Sequence, residues 1–518
     1  MRLSTLALCL FTAVSAHAEQ TDVCPIPKAP MPSTEVATIN SELDQYIVKG
    51  MQDWNIPGLS IAIVKNGQSV YSKGFGVREL GKPDLVDENT QFGIMSTTKA
   101  MTALSLAMLV DEGKVAWNDP VTKHLPWFQL SNPYVTRELT VRDLLTHNSG
   151  LTNTDLLWVR GDMTSRQIIE RLSKIELSYS LRAGFDYQNV MYQVAGEVVQ
   201  VASGMSWAQF VKTRIMKPIG MTASQPTLSL MLSQKYSNVS SPHFEIDGKL
   251  RVIEESPVDT VPAAGAAWST AHDMNYWLKF LLNDGCVGNK RLVSDKTFKE
   301  FLKPQVIIPV NGSYPTEKIT KPNWTTYGLG WFQQDHHGKF VAMHTGSMPG
   351  RTAIIGIMPE ENVGVYIFGN ADHAEFRHAL MWRVLDAYSG APARDWSAEF
   401  LPLYAELKEK GDKAQAEHAA KRVLNTKPLS ALSSYAGRYD NAIYGDINIK
   451  ENNGKLEIAM GPLPENAGTL EHWHYDTFRV KYGDGRYGWS YASFRRDSEG
   501  AVIGVRFDDD SVEFTRTP

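Results

Sequence analysis

Apolar and polar positions follow several different patterns along the chain. Between Val36 and Trp54, apolar residues recur at helical spacing, which predicts an amphipathic helix. Two β-rich runs follow, "GLSIAIVK" and "QSVYSKGFG", and Asn66-Gly67 between them is the strongest short hairpin signal. Residues 120–335 have mostly helical or loop-like patterns. After them β-rich runs return in "KFVAMHTG", "RTAIIGIMP" and "VGVYIFGN".

These patterns predict two folded units. β-rich runs at both ends of residues 36–392, with helices between them, predict one antiparallel sheet flanked by helices and a helical lobe. Residues 393–427 have the pattern of a charged helical linker. From 428 to 518, short alternating runs broken by turns such as Asn453-Gly454 predict an all-β barrel or sandwich. The predicted fold class is α+β, followed by a small all-β barrel-like domain.

Length and composition agree with a globular protein of two domains. The chain has 518 residues, of which 43% are hydrophobic and 21% charged. A net charge of −5 and the lack of a basic block give no electrostatic basis for binding nucleic acid. After the N-terminus no stretch contains about 18 uninterrupted apolar residues, so we expect no stable membrane insertion.

The first residues resemble a secretory signal. "MRLSTLALCLFTAVSAHAEQ" combines one arginine, a short apolar run and the small-residue pattern "AHA" at 16–18. It predicts a cleaved signal peptide over 1–18, an N-terminal extension over 19–35 and a periplasmic or secreted protein. The mature chain keeps Cys24 and Cys286, and the sequence leaves open whether they form a disulfide.

The stretch "FGIMSTTKAMTALSLAMLVDEGK" places Ser96 and Lys99 one helical turn apart, so the amine can reach the hydroxyl. The run from Ala100 to Val110 is apolar almost all round, which predicts a buried helix. A buried lysine has a depressed pKa and can act as a neutral base. In the alternative reading, Ser96 is only a helix N-cap and Lys99 a surface residue.

Two further motifs follow in order. "GFDYQNVMYQ" supplies Tyr187 and Asn189, and "MHTGSMPG" supplies His344, Thr345 and Gly346. Together with "STTK", these motifs resemble the serine β-lactamase and penicillin-binding protein superfamily. The resemblance is closer to its class C β-lactamase, DD-peptidase and D-aminopeptidase-like branch, and it covers most of the first predicted unit.

The resemblance implies a role for each residue of the first two motifs. Ser96 would be the nucleophile that forms an acyl-enzyme, and Lys99 would be its activating neighbour. Tyr187 would exchange protons with Ser96 and with the leaving group. Asn189 would donate its amide to a substrate carbonyl. Whether Lys99 or Tyr187 takes the first proton stays open, because coupled groups titrate together.

The third motif would form the strand that lines the cleft. His344, Thr345 and Gly346 would lie along this strand, and the missing glycine side chain would let substrate approach. The oxyanion hole would consist of the backbone N–H groups of Ser96 and Ser347. The resemblance implies no cofactor and no metal.

One residue departs from the pattern of the family, because many members carry lysine where this chain has His344. Histidine, with a reference pKa of about 6.5, is mostly neutral at pH 7 and should hold a substrate carboxylate better near pH 6. Arg351 would either supply the missing charge or be an ordinary strand-surface residue. Histidine also occurs at this position in DD-peptidases and D-aminopeptidases of the superfamily, so it disfavours an efficient β-lactamase. We expect penicillins to acylate Ser96 and, because His344 is mostly neutral, to be released slowly.

The sequence therefore predicts an exported serine hydrolase of small amide, peptide or ester substrates, including D-amino-acid peptides. The alternatives are a class C-like β-lactamase and a non-catalytic penicillin-binding or sensor protein. The expected partner is a small molecule or short peptide, and the oligomeric state is not predicted. The C-terminal module, with "YAGRY" near its start, resembles the lipocalin-like or DUF3471-type domains of such hydrolases.

Overall fold

A computed structural model describes residues 23–309, 314–507 and 512–517, so the predicted signal peptide lies outside the described residues. Its largest sheet has eight strands, in the order β2-β1-β8-β7-β6-β5-β4-β3, and each neighbouring pair is antiparallel. The strands are β1 (Gly58–Lys65), β2 (Gln68–Gly76), β3 (Val306–Ile307), β4 (Thr325–Tyr327), β5 (Phe332–His336), β6 (Lys339–Met348), β7 (Arg351–Met358) and β8 (Val363–Gly369).

Among the described residues, six helices are longer than eleven residues, namely α1 (Ser33–Asp53), α2 (Lys99–Asp111), α3 (Asn189–Ser203), α4 (Ala271–Leu282), α5 (Phe376–Ser389) and α6 (Trp396–Ala420). Shorter helices lie at Val121–His124, Pro133–Glu138, Leu156–Val159, Ser165–Arg171, Trp207–Phe210, Lys217–Ile219, Leu228–Ser233, Pro262–Gly265, Asp295–Phe301 and Glu317–Thr320. Small two-stranded ribbons pair Phe92–Gly93 with Trp268–Ser269, His243–Ile246 with Lys249–Val252, and Cys286–Val287 with Lys290–Arg291.

The sheet is built from both ends of the first unit, as the sequence predicts. β1 and β2 form the hairpin at Asn66-Gly67, where both residues have positive φ, 52° and 73°. The other six strands follow after residue 305. β1 pairs with β8 along its length, with Ile61 opposite Ile367. The predicted antiparallel sheet and fold class are confirmed.

Each face of the sheet supports its own hydrophobic core, because side chains alternate along a strand. In β1, Ile61 and Ile63 belong to the core formed with α1, α5 and the start of α6. Ala62 and Val64 belong to the core formed with α2, α3, α4 and the shorter helices. This second layer is the helical lobe, and every residue of α2 from Lys99 to Leu109 is buried in it. The lobe and the sheet meet at the start of α2.

The C-terminal module is a closed barrel, which decides between the barrel and the sandwich left open above. Its strands are β9 (Gly437–Asn441), β10 (Gly445–Asn452), β11 (Lys455–Ala459), β12 (Ala467–His474), β13 (Thr477–Tyr482), β14 (Trp489–Arg496), β15 (Val502–Phe507) and β16 (Glu513–Arg516). β16 pairs with β9 and closes the ring. Side chains fill the interior, including Tyr435, Tyr439, Phe478, Phe494 and Phe514. The helix α6, mostly exposed, precedes the barrel.

A disulfide joins Cys24 to Cys286, with the two Cα atoms 6.0 Å apart. It fastens the N-terminal extension to the ribbon that follows α4. None of the helices in the described part of the chain is long and apolar enough to cross a bilayer.

Cys286→Ser should lower the free energy of unfolding by about 2–4 kcal/mol, because the disulfide links residues 262 positions apart and so restricts the unfolded chain. Denaturant titration without reductant measures the loss. The double variant Cys24→Ser/Cys286→Ser should lose no more than Cys286→Ser, since one substitution already breaks the bond. An unchanged midpoint in Cys286→Ser, or losses that add in the double variant, would contradict this linkage.

Candidate active site

Ser96 lies in a single 3₁₀ turn, Met95–Thr98, that leads directly into α2. Neither the turn nor α2 has a side-chain cap, so the structure does not support the reading of Ser96 as an N-cap. Ser96 is also the one residue of 91–109 that is not fully buried. Met95 before it has φ 44°, a left-handed conformation that is uncommon for residues other than glycine. Such strain is found most often at functional sites.

Lys99 is fully buried behind this turn and donates three hydrogen bonds. Its Nζ lies 3.0 Å from Ser96 Oγ, 2.7 Å from Asn189 Oδ1 and 2.9 Å from the Ala264 carbonyl oxygen. These contacts satisfy all three N–H groups of an ammonium. Burial lowers the pKa of Lys99 to about 7, and Asp155 opposes the shift only in part. Near neutral pH a substantial fraction of the amines is therefore uncharged and next to the Ser96 hydroxyl.

The Tyr187 ring lies next to the Lys99 amine. Lys99 Nζ is 4.8 Å from the centroid of the Tyr187 ring. The phenol hydroxyl is buried near Ser96 and has no partner of good hydrogen-bond geometry among the described residues. Burial raises the pKa of Tyr187 well above its ordinary value, and the Ser96 hydroxyl opposes the rise only in part. The resting side chain is a phenol, so the nearby amine does not convert Tyr187 into a phenolate base.

Asn189 begins α3 and links the lysine to an acidic residue that the sequence motifs do not include. Its Oδ1 accepts from Lys99, while its Nδ2 lies 3.0 Å from both carboxylate oxygens of Asp155. In this structure the amide therefore donates to Asp155. The resemblance instead implied donation to a substrate carbonyl. No local pattern around Asp155 pointed to this contact.

His147, in the loop "THNSG", positions the second motif. Its Nδ1 accepts the backbone N–H of Gln188 at 2.9 Å, and Gln188 lies between Tyr187 and Asn189. The centroid of its ring is 4.2 Å from that of Tyr187. His147 therefore holds the backbone and one ring of the motif together.

The third motif lies on β6 against the turn that carries the nucleophile. A Cβ on Gly346 would be 2.5 Å from the Ile94 carbonyl oxygen and 3.1 Å from Ser96 N. The glycine is required because the turn packs on the strand here. The resemblance implied a different reason, that the missing side chain lets substrate approach, and the structure corrects it. β5 pairs with β6 no further than Met343, so this edge of residues 344–348 is free of β5. Thr345 Oγ1 lies 2.8 Å from the Tyr314 hydroxyl.

Arg377 of α5 supports the end of β6 from behind. Its Nη1 donates to the Gly346 carbonyl oxygen at 2.5 Å and to Ser347 Oγ at 2.8 Å. Glu375 forms an ion pair with the guanidinium at 3.2 Å, and Arg377 is buried. The arginine thus fixes the strand where the resemblance places the second oxyanion N–H. The sequence motifs do not include Arg377.

The expected titration of His344 near pH 6 is wrong. Its ring is buried, with Nδ1 2.6 Å from the Thr345 carbonyl oxygen and Nε2 2.9 Å from the Tyr327 hydroxyl. Burial and, secondarily, Lys99 lower its pKa to about 3. A ring that donates through Nδ1 and accepts through Nε2 is neutral, so His344 offers no cation to a carboxylate.

Arg351 matches neither of the two readings given for it. It is 2% exposed, so it is not a surface residue. Its guanidinium forms an ion pair with Glu255 at 2.6 Å and lies 4.8 Å from the centroid of the Trp268 ring. The charge is already neutralised and is not available to a substrate.

One group among the described residues has the spacing to hold a metal ion, and it lies at the hairpin end of β5 and β6. It consists of His336, His337 and Asp386. His336 Nε2 and Trp396 Nε1 each lie 2.7 Å from an oxygen of Asp386, so hydrogen bonds already satisfy the carboxylate. Gly346 and Ser96 are at the opposite end of β6.

Comparison with known proteins agrees with this geometry. The family model described as "Beta-lactamase" matches residues 43–389, and the model described as "Domain of unknown function (DUF3471)" matches residues 421–517. Both matches confirm the resemblance read from the motifs.

Two relatives differ in how much of the chain they share. The chain is 27% identical over 340 residues to "Protein flp" of Staphylococcus aureus (strain NCTC 8325 / PS 47), covering 64% of this chain and 62% of the relative. It is 24% identical over 488 residues to "Unguisins hydrolase ungD" of Aspergillus violaceofuscus (strain CBS 115571), covering 86% of this chain and 84% of the relative. The chain thus spans less than two thirds of the length of Protein flp.

Solved structures share the fold at low identity. An octameric penicillin-binding protein homologue from Pyrococcus abyssi has a TM-score of 0.60 at 23% identity, over 92% of this chain and all of that chain. SurE, solved with D-Leu, has a TM-score of 0.53 at 17% identity, over 94% of this chain and all of that chain. At these identities the likeness shows the fold alone.

The pH dependence of kcat/KM should show one ionisation near pH 7, with activity rising above it, because only neutral Lys99 can accept the Ser96 proton. His147 and His344 have pKa values far below 7, and Tyr187 has a pKa far above 7. None of them therefore produces the rise in activity near pH 7. Steady-state hydrolysis of an ester between pH 5 and about 9 measures the profile.

Lys99→Ala should lower kcat/KM by at least about 10²-fold, the range of general acid–base catalysis. Lys114→Ala, just beyond the far end of α2, is the matched control and should keep both the rate and the profile. A near-normal rate in folded Lys99→Ala would contradict the base role. A wild-type profile of kcat/KM that rises only around pH 10 would contradict it as well.

Proposed function

The chain belongs to the Beta-lactamase family, and on that premise we propose that it is an exported serine hydrolase that forms an acyl-enzyme on Ser96. The observation that carries the proposal is the 3.0 Å hydrogen bond between Lys99 Nζ and Ser96 Oγ, made by a lysine whose pKa burial lowers to about 7. A weak nucleophile becomes effective when a base lies within hydrogen-bond reach.

In the proposed acylation, neutral Lys99 takes the proton from Ser96 Oγ as the oxygen attacks the acyl carbon. Negative charge develops on the former carbonyl oxygen, and the N–H groups of Ser96 and Ser347 stabilise it. Tyr187, a phenol at rest, gives its proton to the leaving group and regains one from Lys99. The acyl–oxygen ester at Ser96 then remains, and the amine or alcohol departs.

Deacylation reverses the roles with water as the nucleophile. Water gives a proton to the same base system as it attacks the ester carbonyl, and Ser96 Oγ regains a proton when it leaves. The partly exposed position of Ser96 supports access of water to the acyl carbon. Because Arg377 holds the end of β6, the oxyanion donors need little rearrangement between the two steps.

We propose small amides, peptides or esters as the substrates, with D-residues among them. A relative that aligns with 86% of this chain is named a hydrolase, and SurE was solved with D-Leu. The proposed export is supported by the disulfide between Cys24 and Cys286, since such bonds persist in oxidising compartments. The sensor alternative has less support, because the Ser96–Lys99 pair is complete and side chains fill the barrel.

A fluorophosphonate probe should form a covalent adduct on the peptide that contains Ser96, detected by mass spectrometry, because the activated hydroxyl attacks the phosphorus. Ser96→Ala should abolish the adduct. Ser105→Ala, which removes the next serine along the chain, within α2, should keep it. Labelling that persists in Ser96→Ala would overturn the assignment of the nucleophile.

Penicillins should acylate Ser96, but turnover should stay well below the rate of about 10 s⁻¹ that is typical of enzymes. Efficient turnover requires a cation for the carboxylate of the drug, and His344 is neutral while Glu255 neutralises Arg351. Because His344 stays neutral, lowering the pH to 6 should bring no gain. Stopped-flow measurement with a chromogenic cephalosporin separates acylation from release. Turnover at hundreds per second would restore the β-lactamase alternative.

A further inference from the structure

Asp155 lies one amide group away from the lysine of the site. Lys99 Nζ donates to Asn189 Oδ1 at 2.7 Å, and Asn189 Nδ2 lies 3.0 Å from each carboxylate oxygen of Asp155. A second contact joins the same two segments, because Thr154 Oγ1 donates to Gln188 Oε1 at 3.2 Å. The loop that carries Asp155 is therefore fixed to the start of α3, although 34 residues separate Asp155 from Asn189.

The carboxylate of Asp155 is also held by its own loop. The indole N–H of Trp158, which is buried, donates to one carboxylate oxygen at 2.8 Å. Asn153 Nδ2 donates to the other oxygen at 3.3 Å, and Asn153 Oδ1 accepts the backbone N–H of Asp155 at 2.9 Å. These contacts orient the carboxylate without help from Asn189, so Asp155 presents a fixed acceptor to that side chain.

The two neighbours of the Asn189 amide require the same orientation of it. A carboxylate only accepts hydrogen bonds, so Asp155 requires the amide NH₂ group on its side. An ammonium group only donates, so charged Lys99 requires the amide oxygen on its side. Rotating the amide by half a turn would place its oxygen against the carboxylate and its NH₂ group against the ammonium. While Lys99 is charged, either neighbour alone is enough to fix the amide.

Asp155 becomes decisive when Lys99 is neutral and can act as a base. A neutral amine has two N–H donors and one lone pair, and the oxygens of Asn189 and Ala264, at 2.7 and 2.9 Å from Nζ, can only accept. The two N–H groups are therefore used on these oxygens, and the lone pair faces Ser96 Oγ at 3.0 Å. If the Asn189 amide rotated, its NH₂ group would bond to the lone pair instead, and Ser96 would lose its base.

Asp155 also provides a negative charge near the amine. Four other titratable side chains of the described residues face Lys99, namely Tyr187, Tyr192, His147 and His344. Burial raises the pKa of both phenols and lowers the pKa of both imidazoles, so all four are uncharged near pH 7. Burial likewise lowers the pKa of Lys99, and the charge of Asp155 opposes that shift.

We propose that Asp155 is a positioning residue of the reaction, which holds the Asn189 amide as an acceptor toward Lys99 and so directs the lone pair of the neutral amine at the Ser96 hydroxyl. Asp155 acts through Asn189 and Lys99 and not by contact with the nucleophile. This inference rests on the proposed serine-hydrolase function. It gives the loop of residues 153–158 a part in the transfer of the proton.

Asp155→Asn tests this role, because it keeps the size of the side chain and removes its charge. It should lower the high-pH plateau of kcat/KM by about tenfold, since the Asn189 amide can then rotate. The rise of kcat/KM should move to lower pH by about 0.5–1 pH unit, because the charge that favours the ammonium is gone. Ester hydrolysis with p-nitrophenyl acetate between about pH 5 and 10 measures both values. Glu170→Gln, which removes an exposed carboxylate from the helix Ser165–Arg171, is the matched control and should change neither.

The double variant Asp155→Asn/Asn189→Asp exchanges the two side chains and separates orientation from charge. A carboxylate at position 189 offers only acceptors to Lys99, so the lone pair should face Ser96 again and the plateau should exceed that of Asp155→Asn. A carboxylate in direct contact with the amine should move the rise to higher pH than in the wild-type protein. A purely structural role of Asp155 would not displace the two variants in opposite directions.

Thermal unfolding of each variant shows whether it folds, and Asp155→Glu, which keeps the charge, should keep the wild-type midpoint of the rise. A wild-type plateau and midpoint in folded Asp155→Asn would overturn the inference, as would an exchange variant whose rise lies at or below the wild-type pH. Ser96→Ala keeps the two proposals apart. If wild-type hydrolysis does not depend on Ser96, the proposed function is wrong. If it depends on Ser96 and the substitutions at 155 leave the pH profile unchanged, the role of Asp155 alone is wrong.

Discussion

The site depends on the burial of one ammonium group, that of Lys99. A buried cation is tolerated only when it is fully hydrogen-bonded, and here its three acceptors come from Ser96, Asn189 and Ala264. Asn189 and Ala264 are 90 and 165 residues away in sequence, so the lobe has to converge on the start of α2. The same desolvation lowers the pKa of the amine. The burial that requires these three acceptors therefore also prepares the base.

The opposite wall of the site comes from the sheet. Gly346 allows β6 to touch the turn of the nucleophile, and Arg377 of α5 holds that strand from the other side. Since β1 pairs with β8, the first and last strands of the domain lie side by side. The reactive serine thus lies where a helix from the lobe meets a strand that both ends of the domain hold in place.

The parts of this arrangement that the sequence could predict are those with local signals. The spacing of Ser96 and Lys99, the apolar run behind them and the Asn66-Gly67 turn all act within a few residues. Asp155 and Arg377 escaped prediction because their roles exist only through partners far away in sequence. The expectation for His344 failed for the same reason, since Tyr327 and burial set its charge.

The closed form of the barrel affects how safely such a domain can be attached to another domain. In an open sheet the outer strands expose unpaired N–H and C=O groups, which can recruit strands of other chains. Here β9 and β16 pair with each other, so each barrel strand has a neighbour on both sides. The module adds eight strands without adding an unpaired strand edge that another chain could bind. Its loops are then free to diverge in sequence at little risk of aggregation.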